Sequence, residues 1–170
     1  ISFHQSEQLQ KNLVSYLLCG SGPRLAPEVS RAILTVRLNS MAKGFSGVSP
    51  GLIERLRLHL ERDWLPVIPR EGSLGASGDL IPLAYLAQNI QGEGEVHANG
   101  SIRPMREVLA VAGLTPYALK AKEGLALVNG TSAMAGLFAV NLNHAKFLTQ
   151  WLELNTAWLC LALKGRTEAF

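Results

Sequence analysis

Apolar positions along this chain recur mostly at helical spacing. Between residues 4 and 19, Leu9, Leu13, Val14, Leu17 and Leu18 form one stripe, and Gly20-Ser21-Gly22-Pro23 ends it. A second helix is predicted from about Pro27, whose missing N–H suits a first turn, to about Lys43. Gly44 to Gly47 makes a loop. Ser49 is placed to cap a third helix, with Pro50 at its first position and Leu52, Ile53, Leu56 and Leu60 facing inward. Pro66 to Gly78 is rich in proline and glycine and reads as extended. The next helix covers about Asp79 to Ile90, with Asp79 as its N-cap and Pro82 tolerated in the first turn. From Glu95 to Arg103 the chain reads as a small hairpin turning at Asn99-Gly100, and His97 within it as a surface residue. A short helix follows from about Pro104 to Ala112. A long one runs from about Ser132 to Lys164, a strut for a bundle. The expected fold is therefore mainly α, a helical bundle with a short β-hairpin.

Composition narrows the class. A chain of 170 residues with 48% hydrophobic and 17% charged residues can bury a real core. The net charge of +3 is mild, the basic residues are scattered, and the few aromatics are not interleaved with them. A solvated surface is expected there, and no nucleic-acid site. Cys19 and Cys160 sit in apolar helical patterns and are expected to be buried thiols. Asn141, Asn143, Lys146, Gln150, Glu153 and Asn155 interrupt the long helix, so no membrane span is expected. The opening Ile1-Ser2-Phe3-His4-Gln5 has no signal-peptide character, and a cytoplasmic location is the expectation.

The chemistry concentrates in Gly72-Ser73-Leu74-Gly75-Ala76-Ser77-Gly78-Asp79-Leu80, a loop almost free of large side chains placed directly before an apolar helix. With no Cβ beside it, the Gly78 amide nitrogen can approach the Ala76 carbonyl carbon. Closing that ring and losing two waters, one from the Ser77 hydroxyl, would give 4-methylideneimidazol-5-one (MIO). This is an electrophile of a kind the ordinary side chains lack. Ala-Ser-Gly alone is ordinarily just a turn. Other glycine-loop chemistries fail on residues. A phosphate loop needs Lys and then Ser or Thr where Asp79 stands, a dinucleotide fingerprint needs G-x-G-x-x-G, and a nucleophile elbow needs a glycine at position 79. A serine hydrolase would need a histidine base, and no sequence feature ties His4, His59, His97 or His144 to Ser77.

Two motifs turn the tripeptide from a turn into a site. Residues 72 to 84, Gly-Ser-Leu-Gly-Ala-Ser-Gly-Asp-Leu-Ile-Pro-Leu-Ala, and residues 121 to 131, Ala-Lys-Glu-Gly-Leu-Ala-Leu-Val-Asn-Gly-Thr, resemble the signatures of the histidine and aromatic amino acid ammonia-lyase family. Residues 9 to 13, 41 to 48 and 92 to 95 look like the same family in the same order. The resemblance implies an ammonia-lyase-like (fumarase/aspartase-like) fold. It implies an autocatalytic MIO built from Ala76, Ser77 and Gly78, with no metal or external cofactor. The implied reaction is elimination of ammonia from an L-amino acid (histidine, tyrosine or phenylalanine) to give an α,β-unsaturated acid, as part of amino acid catabolism. A 2,3-aminomutase would share every motif, and an uncyclised helical scaffold is the non-catalytic alternative.

Residue by residue, the resemblance assigns Asn129 to contact with the prosthetic group and the substrate carboxylate region. It assigns Leu80 to the substrate pocket and Asp79 to support of ring formation. On the residues alone, Asn129-Gly130 is a turn, Leu80 is core and Asp79 is a helix cap. Lys122 and Glu123 read as structural. The family's base, a tyrosine, precedes the aligned stretch, and its carboxylate-binding arginine, a second tyrosine and a glutamate follow it. Tyr16, Tyr85 and Tyr117 match none of these. The chain is thus read as a single partial domain, 1–170, of a longer homotetrameric enzyme, inactive as a lyase by itself. Ser132 after Thr131 looks more like the tyrosine and phenylalanine branch, since histidine enzymes more often carry Gln there.

Overall fold

The computed structural model describes residues 3–166 and residue 168. Ile1, Ser2, Thr167, Ala169 and Phe170 lie outside the described residues, as do the side chains of Phe3, His4 and Glu7. Six helices fall close to their predicted places: α1 (Phe3–Leu17), α2 (Pro27–Ala42), α3 (Pro50–Glu61), α4 (Leu80–Ile90), α5 (Met105–Val111) and α7 (Ser132–Ala162); between the last two, the second motif forms a short helix that the apolar spacing does not predict, α6 (Glu123–Val128). Pro27 and Pro50 open α2 and α3, where a proline removes no intrahelical hydrogen bond.

Five short strands separate the helices. β4 (Glu95–Ala98) and β5 (Ser101–Pro104) are the expected hairpin, and both turn residues, Asn99 and Gly100, take positive φ. β2 (Leu65–Pro66) adds to β4 and completes a three-stranded antiparallel sheet. β1 (Ser21–Arg24) pairs with β3 (Pro69–Glu71), so the segment expected merely to end α1 is a strand.

The main core joins Ile33 and Leu34 of α2, Leu52 and Leu56 of α3, Leu83, Leu86 and Ile90 of α4, and Leu127 and Val128 of α6, all buried. At about 25 cal/mol per Å² of apolar surface, such side chains contribute roughly 1.5–3 kcal/mol each relative to exposure. α2 and α7 cross closely because Gly136 lies against the α2 backbone, where a Cβ would stand 2.7 Å from the Ile33 nitrogen. A smaller cluster, Trp64, Val96, Met105, Val108 and Leu109, fills the space under the hairpin. Beside it His59 is fully buried, edge-on to Trp64 with ring centroids 5.6 Å apart. His97 is half-buried rather than on the surface, with its Nε2 buried and without a hydrogen-bond partner among the described residues.

Four expectations are corrected. Cys19 is exposed, because α1 ends at Leu17 and leaves it in the following loop; Cys160 is half-buried on α7. Neither Ser49 nor Asp79 caps its own helix through its side chain; both turn to other partners, described below. Ile53 and Leu60 are half-buried at the edge of the α3 face. The polar residues of α7 do not exclude a membrane span by composition. Only a few of them carry charge, and this is the helix among the described residues that is long and apolar enough to cross a bilayer. Its first turns are nonetheless locked into the globular core through buried Ser132, Ala133 and Gly136.

Candidate active site

The glycine-rich motif leaves β3 at Glu71 and runs through exposed Ala76 and Ser77 to half-buried Gly78 and buried Asp79. Gly78 has φ +106°, a conformation that side-chain-bearing residues rarely adopt. A Cβ there would lie 2.6 Å from Asn129 Oδ1 and 2.9 Å from the Gly130 nitrogen. The two motifs singled out in the sequence therefore meet at one glycine, with no room for a side chain between them. Ala76, Ser77, Gly78 and Leu80 line one small cavity of about 200 Å³ together with Leu17 and Ile81. On the opposite side of the loop, Ser73, Leu74, Gly75, Asp79, Met134 and Phe138 border a cleft of about 430 Å³.

Asp79 links the loop to two helices. Its backbone N–H donates to the Gly130 carbonyl at 2.7 Å and its carbonyl accepts from Leu83 N–H at 3.2 Å, in the first turn of α4. Its carboxylate accepts from Ser73 Oγ at 2.9 Å and from Met134 N–H at 2.8 Å. Met134 is the third residue of α7, so the carboxylate satisfies one of that helix's unpaired N–H groups and complements its dipole. The side chain expected to cap α4 thus caps α7 instead.

Asn129 ends α6, and its carbonyl accepts from Arg37 Nη2 at 2.8 Å. The same Nη2 donates to the Ala126 carbonyl. Arg37 is 4% exposed, with no carboxylate partner among the described residues. Burial pulls its pKa below the ordinary guanidinium value. Its charge is complemented by carbonyls at a helix C-terminus, which carry partial negative charge. Sequence reasoning missed Arg37, but a signal was present: Ile33, Arg37 and Met41 share one helical face, so an arginine interrupts a core stripe.

The start of α6 is held as firmly as its end. Glu123, 2% exposed, accepts from Ser49 Oγ at 2.7 Å, Ser49 N–H at 3.0 Å, Lys120 N–H at 2.8 Å and Tyr117 OH at 3.1 Å. Burial alone would raise the pKa of this carboxyl, but the hydrogen bonds from Lys120, Ser49 and Tyr117 outweigh it and lower the pKa below the ordinary value. Ser49 is thus spent on α6 instead of α3. Lys122, exposed at φ +71°, begins the helix.

Among the described residues no histidine hydrogen-bonds Ser77. His59 and His97 belong to the hairpin side of the molecule, and His144 stands on the exposed part of α7. The arrangement offers instead a small-residue loop held from below by an asparagine–glycine pair, at the meeting point of the N-termini of α4 and α7. Developing negative charge is favoured at such a point.

The mainly helical scaffold that carries this contact is similar to those of solved ammonia-lyases and aminomutases. The match to solved structures is close: histidine ammonia-lyase from Trypanosoma cruzi superposes with a TM-score of 0.91 at 34% identity, over 98% of this chain and 33% of that one. The chain belongs to the aromatic amino acid lyase family, whose model matches residues 1–170. It is 48% identical over 164 residues to a histidine ammonia-lyase of Geobacillus sp. (strain WCH70), covering 96% of this chain and 32% of that protein. It is 45% identical over 163 residues to the MIO-dependent tyrosine 2,3-aminomutase of Streptomyces globisporus, covering 96% of this chain and 30% of that one. The chain thus spans about a third of the length of the curated relatives it matches.

Proposed function

We propose that this chain is the ring-bearing part of an amino acid ammonia-lyase, and that Ala76, Ser77 and Gly78 mature into MIO in the full-length protein. The observation that carries the reading is the contact at Gly78, where positive φ and the Asn129 side chain leave space for a bare backbone only. Closure joins the Gly78 nitrogen to the Ala76 carbonyl carbon, and the carbonyl oxygen leaves as water with the Gly78 and Ser77 amide protons. The Ser77 hydroxyl then leaves as a second water with the Ser77 Cα proton, so that atoms balance without an oxidant. Once formed, the group supplies an electrophile for activating the substrate so that its amine can leave.

The chain's own residues divide the remaining work. Asn129, with an amide that both donates and accepts, stands at Gly78 where it can hold a carboxylate beside the ring. Leu80 supplies an apolar wall to the cavity under the loop. Asp79 fixes the loop's exit by joining Ser73, Gly130 and Met134. The substrate class is an L-amino acid with an aromatic or imidazole side chain, and Ser132 after Thr131 favours tyrosine or phenylalanine. The proposal includes a homo-oligomer, and the exposed Phe147, Trp151 and Trp158 of α7 are an apolar face that the rest of a longer chain or a second subunit would cover.

The test is the mass of the full-length protein and of its peptide containing residues 76–78. Loss of two waters there, abolished together with ammonia release by Ser77→Ala, is the expected result. An unmodified peptide in active enzyme would refute the reading, and in inactive protein would favour the uncyclised scaffold. A second reading, a 2,3-aminomutase, is supported by the similarity to the Streptomyces globisporus enzyme. Accumulation of a β-amino acid instead of free ammonia would select it.

A further inference from the structure

We propose that Arg37 is a positioning residue for closure of the Ala76-Ser77-Gly78 ring, an inference that rests on the reading above. Ring closure asks the Gly78 nitrogen to move within bonding distance of the Ala76 carbonyl carbon. A free loop would relieve that compression by moving away. Gly78 has no such freedom on one side, where Asn129 Oδ1 and the Gly130 nitrogen fill the space a Cβ would take. The next residue, Asp79, is fastened to the Gly130 carbonyl at 2.7 Å. The wall behind the ring is therefore the Asn129 side chain together with the Gly130 backbone, and the support of that turn decides how firmly it resists.

That support is Arg37. One guanidinium nitrogen donates to both the Ala126 and Asn129 carbonyls. The other, Nη1, occupies the space into which a Gly130 Cβ would project, so Gly130 must be glycine for the guanidinium to seat. Arg37 is itself carried by α2, packed between α3 and α7, and its neighbours Ile33 and Leu34 are fully buried. The path from a rigid helix to the reacting nitrogen thus runs from Arg37 to Asn129-Gly130 to Gly78. The first link is a pair of hydrogen bonds, and the last is contact of Gly78 with the Asn129 side chain and the Gly130 backbone. A charged group is put to this use because hydrogen bonds from an ionised donor are stronger and hold their geometry better than neutral ones. Its planar fork is also pre-organised, so little side-chain entropy is lost in holding it.

The experiment compares the full-length protein with Arg37→Met and Arg37→Lys, using wild type and Ser77→Ala as fully processed and unprocessed references. The reading is the fraction of the 76–78 peptide that has lost two waters, followed in time after synthesis. Far-UV circular dichroism and the assembly state are checked on the same samples. Arg37→Met in folded, assembled protein is expected to slow water loss about tenfold or more, the scale of a misplaced reacting group. Arg37→Lys, which keeps the charge but loses the fork, is expected to fall between Arg37→Met and wild type. If Arg37→Met is insoluble, Arg37→Lys decides. Water loss at the wild-type rate in either folded variant overturns the proposal. Absence of water loss in wild type itself would instead sink the underlying reading, so the two failures are distinguishable.

Discussion

Two regions of this molecule bury polar side chains, and they do so on opposite terms. Beneath the glycine loop, Arg37, Asp79 and Glu123 are almost fully enclosed, yet each holds two or more hydrogen bonds to backbone or hydroxyl groups, and among the described residues only Arg37 Nε is left buried without a partner in these three side chains. Beneath the hairpin, His59 is equally enclosed, but neither ring nitrogen has a partner among the described residues, and its contact is the edge of Trp64. An ion can be buried where it ties separate segments together, because its hydrogen bonds offset the desolvation cost. A group that fills space without partners has to stay neutral. The first region is therefore built to hold a backbone in place, the second only to be filled.

The largest expected effect tests the first region at its centre. Gly78→Ala puts a methyl within 2.6 Å of Asn129 Oδ1 and forces an L side chain to φ +106°. The strain alone is on the order of 1–3 kcal/mol, and the wall has to retreat. Loss of ring formation, read as an unmodified 76–78 peptide, is expected in the full-length protein. Normal water loss in Gly78→Ala would mean that the close contact is incidental.

The second region is tested by acid. Burial, aided by the nearby positive charge of Arg55, pushes the pKa of His59 down to about 3. The unfolded chain binds a proton near the ordinary value of 6.5. Above that pH both states are neutral and nothing is lost. Between the two values only the unfolded state is protonated, so stability falls as pH drops from about 6.5 towards 3 and then levels. At about 1.4 kcal/mol per unit, the whole window is worth several kcal/mol. His59→Phe keeps an aromatic ring against Trp64 and is expected to flatten this limb in urea unfolding. An unchanged slope would show that His59 finds a partner or water in solution.

Asp79→Ala is a smaller break in the first region. It removes the acceptor for Met134 N–H at the start of α7 and frees Ser73. Loss of such a cap costs about 0.5–2 kcal/mol. Faster hydrogen exchange at the first turn of α7, with the first turn of α4 unaffected, is the expected signature. Faster exchange confined to α4 would restore the role that the sequence pattern suggests.

The contrast also explains what was legible in the residues. Helices α1 to α5 and α7 followed from local apolar spacing, and the hairpin from Asn99-Gly100, because both signals lie within a few residues. β1 was not legible: Ser21-Gly22-Pro23-Arg24 is fully exposed, and it becomes a strand only through Pro69–Glu71, far along the chain. Ser49 and Asp79 sit where caps belong, yet tertiary partners claim their side chains. The motif pointed to Ala76-Ser77-Gly78 and Asn129, but their meeting at Gly78 depends on α6 packing beside α4. Arg37 was legible only as a break in an apolar stripe. A pattern can say that a charge is misplaced, but only packing says which carbonyls it serves.

The finest test asks whether the ties of the first region are individually weak. Tyr117→Phe removes one of the donors to Glu123 while Ser49 and Lys120 keep theirs. A single net hydrogen bond is worth about 0.5–1.5 kcal/mol, so the loss of stability at neutral pH should be about 1 kcal/mol. The variant also has a direction in pH. Glu123 is held below its ordinary pKa of 4.5, so its stabilisation is complete above that value and is lost as pH falls through the lowered one. With one donor gone the folded carboxyl is less depressed, and wild type and Tyr117→Phe should converge as pH falls below about 4.5. Parallel curves down to the acid limit would mean that the phenol contributes packing alone. The carboxylate's hold on α6 would then rest on Ser49 and Lys120.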